Sequence, residues 1–224
     1  MTSFFAFAAT CAVAVLGLLA AEAVDLRASG PGSRAAIWLT KPVAATAFIG
    51  ASLANGLPTT GYGRAVVIAL VLSWWGDVLL IPRAQRIFLA GILAFLSAHL
   101  AYAAAFLVRG VSVAWLVGSA LPLGALGGVV GRYFVERAPA GLRRAVVAYV
   151  GVLSTMVALA IASYGRRGGL LVPIAAVAFY LSDLSVALNR FVKPSMVHRA
   201  WGTPLYFGAQ LVFAATVLAE EAAR

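Results

Sequence analysis

The sequence predicts an all-α, polytopic membrane protein, a helical bundle of about eight transmembrane helices forming a single domain over residues 1–224. Three observations predict it. Hydrophobic residues make up 63% of the chain and charged residues 11%, with a mean hydropathy of +0.98, far outside the range of a soluble domain. Apolar runs of about 20 residues, the length that crosses a bilayer core, recur along the chain. The breaks between them are short, leaving no room for a soluble domain.

Each run is bounded by charge or by Gly/Pro punctuation. The first, about 3–21, carries no charge before Glu22. Ala21-Glu22-Ala23 has the small-x-small form of a signal-peptide cleavage site, but the N-terminus has no basic region and the run is long for a signal, so it is read as a span. The second, about 35–55, follows Gly30-Pro31-Gly32 and contains Lys41-Pro42. The third, about 65–81, begins after Arg64 and stops at Pro82-Arg83; the fourth, about 87–108, lies between Arg86 and Arg109. The fifth, about 111–130, runs from Gly110 to Arg132, and the sixth, about 143–163, lies between Pro139 and Arg166-Arg167. The seventh, about 168–189, ends at Arg190, and the eighth, about 203–219, ends at Glu220-Glu221. Gly127 and Gly131 have the small-xxx-small spacing that lets helices approach closely in lipid. Cys11, the one cysteine, lies within the first run and reads as a small packing residue.

The formal charge of +10 is spread singly through the connections rather than gathered in a stripe, which argues against a nucleic-acid partner. It sets topology instead. Eleven Lys and Arg residues fall in the odd-numbered connections, namely Arg27, Arg34, Arg83, Arg86, Arg132, Arg137, Arg143, Arg144, Arg190, Lys193 and Arg199. Five (Arg64, Arg109, Arg166, Arg167 and Arg224) fall on the other side. The positive-inside rule places the odd connections in the cytoplasm and both termini outside, in a bacterial-type inner or plasma membrane. Nothing in the sequence fixes an oligomeric state.

Of seven acidic residues, Glu22, Asp25, Glu136, Glu220 and Glu221 fall in or beside connections. Asp77 and Asp183 do not, and an intramembrane carboxylate costs several kcal/mol, about 2.5–3.5 on insertion scales, so it marks a functional site. Lys41, Asp77, Tyr149, Asp183 and Tyr206 fall at a similar depth near the cytoplasmic ends of their spans, with His99 and Gln210 somewhat deeper. This registry predicts one cavity opening toward the cytoplasm, with Lys41 as counter-ion to both aspartates. Gln210, Ser73, Ser182 and Ser185 serve equally well as helix–helix hydrogen bonds. Pro42 withdraws a backbone donor beside Lys41.

Two histidines, His99 and His198, do not make a zinc ligand set, and neither a Gly-x-Ser-x-Gly elbow nor a Gly-Lys-Ser/Thr phosphate loop occurs. No metal or cofactor is expected. Paired carboxylates suit acid and electrostatic catalysis, one donating a proton while the other stabilises a developing cation. The same parts also build a proton relay, so a proton-coupled small-molecule or lipid transporter is the alternative, and a structural membrane subunit a third.

Taken in order, several short motifs resemble the YhhN-like lysoplasmalogenase family. They are Lys41-Pro42, Ser73-x-x-Gly76-Asp77-x-x-Leu80, Phe88-x-x-Gly91, Ala98-His99-x-x-Tyr102, Tyr149, Phe179-x-x-Ser182-Asp183, Asn189-Arg190-Phe191 and Tyr206-x-x-Ala209-Gln210, spread over about 35–215. The resemblance implies an eight-helix ether hydrolase that cleaves the vinyl-ether bond of lysoplasmalogen to a fatty aldehyde and a glycerophospho-base, taking a lysophospholipid from the membrane. It implies catalytic roles for Asp77, Asp183 and His99, and substrate contacts from Lys41, Tyr102, Tyr149, Asn189, Tyr206 and Gln210.

Overall fold

The computed structural model describes residues 2–28 and 30–223; Arg224, which entered the charge count, lies outside them. The described chain folds into eight α-helices, each long and apolar enough to cross a membrane. They are α1 (Thr2–Arg27), α2 (Pro31–Ser52), α3 (Gly61–Leu79), α4 (Gln85–Arg109), α5 (Val113–Val135), α6 (Arg143–Arg167), α7 (Leu171–Phe191) and α8 (Met196–Ala222), with a 3-10 turn at Ala140–Leu142.

The ends of the helices follow local chemistry. Pro31 opens α2 at a position where its missing N–H is harmless. The Thr60 side chain accepts from the Gly63 N–H to cap α3, and Ser195 accepts from the Val197 N–H to cap α8. Gly110 after α4 and Gly168 after α6 stop their helices with positive φ, at +97° and +70°.

Several helices overrun the apolar runs, and the overruns of α1 and α8 matter for the site. α1 continues through Glu22 and Asp25 to Arg27, and α8 starts at Met196, eight residues before Pro204. Pro42 and Pro204 sit inside continuous helices because neighbouring elements and local adjustment accommodate the lost donor in a bundle.

The consecutive pairs α1–α2, α3–α4, α5–α6 and α7–α8 form the main packed hairpins. α8 also packs on α1, α2 and α3, and α6 on α4 and α7, while α5 rests chiefly on α6. Of the two glycines singled out on α5, Gly127 abuts the Ser154 side chain of α6, whereas a Cβ on Gly131 would meet nothing within 4 Å. The close approach is therefore local to Gly127.

The end of the bundle bearing the even-numbered connections is fastened by polar contacts. Glu221 accepts from the Thr59 N–H and hydroxyl (3.0 and 2.7 Å) and from the Thr60 N–H and hydroxyl (2.8 and 2.5 Å). Arg109 pairs with Glu220 at 3.0 Å and donates to the Gly168 carbonyl at 3.0 Å, while Arg167 donates to the Arg109 carbonyl at 3.0 Å. Below this lies an aromatic layer in which Tyr102 stacks on Phe213 at 4.2 Å, flanked by Phe106.

Candidate active site

At the opposite end, bearing the odd-numbered connections, a cavity of about 340 Å³ is lined by side chains from all eight helices. Its walls are mostly apolar. Glu22 of α1, Lys41 of α2, Asp77 of α3, Tyr149 of α6, Asp183 of α7 and Tyr206 of α8 supply polar groups.

Asp77 is 2% exposed and fully partnered. Its Oδ1 lies 3.2 Å from Lys41 Nζ, and its Oδ2 accepts a hydrogen bond from the Tyr206 hydroxyl at 2.5 Å. Gly76 explains how the carboxylate reaches this depth: a Cβ there would come within 2.6 Å of the Phe95 ring, so α3 and α4 meet tightly beside Asp77.

Asp183 has different company. Its Oδ2 accepts from the Tyr149 hydroxyl at 2.6 Å and lies 3.4 Å from His99 Nε2. His99 Nδ1 is 2.6 Å from the Phe95 carbonyl oxygen, which can only accept, so Nδ1 carries a hydrogen. In a neutral ring, Nε2 then presents a lone pair to a carboxyl oxygen. The contact is favourable only when a proton lies between them. Lys41–Asp77 and His99–Asp183 thus form two separate pairs, whereas the sequence suggests one counter-ion for both aspartates. No hydrogen bond joins the two carboxyl groups among the described residues.

Aromatic rings close the space around both pairs. Phe95 and Phe179 pack edge-on or tilted against Tyr206 at 5.7 and 5.5 Å, and Phe179 covers His99 at 4.4 Å. Polar interactions at this depth are strengthened by such low-dielectric walls.

Not every residue singled out from the sequence faces the cavity. His99 stands behind Asp183, and Tyr102 and Gln210 form a buried pair one layer deeper, with the Tyr102 hydroxyl donating to Gln210 Oε1 at 2.5 Å. Asn189 lines the cavity, but its amide is engaged in holding the α7–α8 connection. Its Nδ2 donates to the Ser185 carbonyl at 3.0 Å, and its Oδ1 accepts from the Ser195 N–H at 2.9 Å. Ser182 and Ser185 donate back to carbonyls of their own helix, while Ser73 Oγ is buried without a partner among the described residues.

Glu22, Arg190 and Arg199 line the cavity although the sequence assigns them to connections. Glu22 Oε1 lies 3.4 Å from Arg199 Nη1. Arg190 donates to Gln85 Oε1 at 2.8 Å and lies over the Phe88 ring at 4.2 Å. The available signal for Glu22 was its spacing of one helical turn from Leu18, which lines the same cavity. Among the described residues, no three His, Cys, Asp or Glu side chains converge closely enough to hold a metal ion.

An eight-helix bundle with paired carboxyl groups sunk in one end defines a polytopic membrane protein with a buried ionisable site. The YhhN family matches residues 36–217, a stretch that includes both carboxylate pairs, and the chain belongs to the YhhN family. Among curated proteins it is similar to lysoplasmalogenase TMEM86A of Bos taurus, at 29% identity over 171 residues, covering 72% of this chain and 70% of the relative. It is likewise similar to lysoplasmalogenase TMEM86A of Homo sapiens, at 29% identity over 155 residues, covering 66% and 63% of the two chains. No solved structure matches the chain.

Proposed function

We propose that this protein hydrolyses the vinyl-ether bond of a lysoplasmalogen, releasing a fatty aldehyde and a glycerophospho-base. The observation that carries the reading is the unequal environment of two carboxyl groups in one apolar cavity. Asp77 faces an ammonium group, and Asp183 lies 3.4 Å from the His99 imidazole. The names of the mammalian relatives point to the same reaction.

The chemistry needs an acid and an anion. Asp183, in its protonated form, delivers its proton to the β-carbon of the vinyl ether, giving an oxocarbenium ion stabilised by the Asp77 carboxylate. Water adds to the cationic carbon and passes a proton to Asp77. The hemiacetal then collapses: Asp77 returns its proton to the glycerol oxygen as the C–O bond breaks, and Asp183 takes the hydroxyl proton as the aldehyde forms. Both carboxyl groups end as they began, and one water is consumed. Lys41 and Tyr206 hold Asp77 anionic, Tyr149 orients Asp183, and His99 positions the proton from behind. Tyr102 and Gln210 shape this site from one layer deeper, and Asn189, which lines the cavity, holds the α7–α8 connection in place.

The cavity mouth lies at the end with eleven basic residues in its connections, so we place it on the cytoplasmic face, where it receives lysolipid from that leaflet. A proton-coupled transporter needs access from both sides in turn. The fastened Glu220–Arg109 and Glu221–Thr60 end and the Tyr102–Phe213 layer favour a hydrolase with one entrance.

The test is incubation of purified protein with a mixed pool of alkenyl, alkyl and acyl lysolipids, followed by mass spectrometry. Free aldehyde from the alkenyl species alone is expected. Absence of aldehyde from every alkenyl species would sink the proposal, and substrate-driven proton flux in liposomes without product would replace it with transport.

A further inference from the structure

Lys41 has a chemistry that its role as a counter-ion does not exhaust. The chain contains two lysines, Lys41 and Lys193. Lys41 lines the cavity, whereas Lys193 is exposed in the connection between α7 and α8. Lys41 Nζ lies 3.2 Å from Asp77 Oδ1, and its side chain is only 17% exposed. Much of the surrounding lining is apolar and includes Leu18, Leu80 and Phe207. A lysine amine desolvated in such a wall is the side chain best suited to form an imine with a carbonyl carbon. The proposed hydrolysis creates a carbonyl carbon against Asp77, so the aldehyde is released beside the amine that contacts the same carboxylate.

We propose that Lys41 Nζ captures a fatty aldehyde as a reversible imine, a covalent product site that slows turnover as aldehyde accumulates. This rests on the hydrolase reading of the cavity and extends it from substrate to product. Asp77 Oδ1 takes one proton from the ammonium, which leaves Nζ with a free electron pair. Nζ bonds to the carbonyl carbon while the C=O π pair moves to oxygen, and a proton passes from nitrogen to that oxygen to give a carbinolamine. Asp77 then returns its proton to the hydroxyl, the C–O bond breaks, and water leaves. The product is a protonated imine, and nothing is oxidised or reduced. The nitrogen is cationic and Asp77 anionic both before and after, so the adduct strands no buried charge. Apolar walls shield the imine from bulk water, and the reverse path frees Lys41 when water returns.

The test supplies hexadecanal directly, so capture is read apart from turnover. Full-length protein in nanodiscs is incubated with the aldehyde and cyanoborohydride, which reduces an imine to a stable secondary amine, and alkylated peptides are quantified by mass spectrometry. Alkylation is expected to be about tenfold or more faster at Lys41 than at Lys193, because the cavity holds the carbonyl against Nζ. Excess hexadecanol, which has the same chain and no carbonyl, should suppress labelling of Lys41 and leave Lys193 unchanged. Lys41→Arg keeps a cation for Asp77 but cannot form the imine, so it should lose the label at this position. Labelling of Lys193 as fast as Lys41, or labelling of Lys41 indifferent to hexadecanol, would overturn the imine site. Failure of the hydrolase reading shows up separately, as capture of added aldehyde at Lys41 with no aldehyde released from any alkenyl lysolipid.

Discussion

His99 Nε2 lies 3.4 Å from Asp183 Oδ2 while His99 Nδ1 is tied to the Phe95 carbonyl at 2.6 Å. A ring held in this way has one position left at which to share a proton with the carboxyl group. Asp183→Asn removes the transferable proton, and aldehyde release should fall by about 10²–10⁴-fold, the usual worth of a general acid. His99→Gln should lower kcat with little change in KM, because His99 acts through Asp183 and does not line the cavity. Steady-state kinetics on purified variants checks both, and a rise confined to KM in His99→Gln would place the imidazole against substrate instead.

Asp77 and Lys41 make a pair whose structural and chemical roles can be separated. Asp77→Asn leaves Lys41, itself only 17% exposed, without its carboxylate, and breaking a buried pair costs about 3 kcal/mol or more. The double variant Asp77→Asn/Lys41→Met removes the stranded ammonium and should recover most of the thermal midpoint in detergent. It should not recover turnover. Equal melting of the single and double variants would show that the pair does not hold the helices.

Three tyrosine hydroxyls in this end of the bundle should respond differently to loss. Tyr206→Phe and Tyr149→Phe each delete a hydrogen bond to a carboxyl group, at 2.5 and 2.6 Å, worth about 1.5–3 kcal/mol where the acceptor is charged. We expect kcat to fall by about one to two decades for each. Tyr102→Phe deletes only the bond to Gln210, so it should lower the melting temperature while turnover per folded molecule stays within a few-fold. The comparison is read from activity normalised to the folded fraction by size-exclusion chromatography.

Gly76→Ala tests the packing that seats Asp77. The added methyl would meet the Phe95 ring at about 2.6 Å, and overpacking of this kind costs about 1–3 kcal/mol. Because Phe95 also touches Tyr206 and supplies the carbonyl that orients His99, activity should drop together with stability. Normal turnover at a lowered melting temperature would mean that the ring can yield without disturbing the site.

These residues also show what was legible in the sequence. Asp77 and Asp183 stood out because a charge in an apolar run is expensive, and the depth of Lys41, Tyr149 and Tyr206 followed from helix rise alone. Partner choice did not follow. Depth places Lys41 level with both aspartates, but rotation about the helix axis, set by contacts such as Phe95 on Gly76, decides that it meets Asp77 and leaves Asp183 to His99. In the sequence Glu22 and Arg199 read as connection residues, because charge and Pro204 mark boundaries, whereas α1 and α8 run on through them. Tyr102 and Gln210 lie on α4 and α8, and only the assembled bundle shows that the Tyr102 hydroxyl donates to Gln210 Oε1.

The fastening of one end of the bundle by Arg109, Glu220 and Glu221 reaches beyond the site itself. Under the proposed hydrolysis, a cavity with its mouth at the other end would draw lysolipid from one monolayer and return the aldehyde to that same monolayer. Each turnover would then replace a wedge-shaped molecule by a slimmer one on a single side of the bilayer, relaxing area and curvature stress in that leaflet.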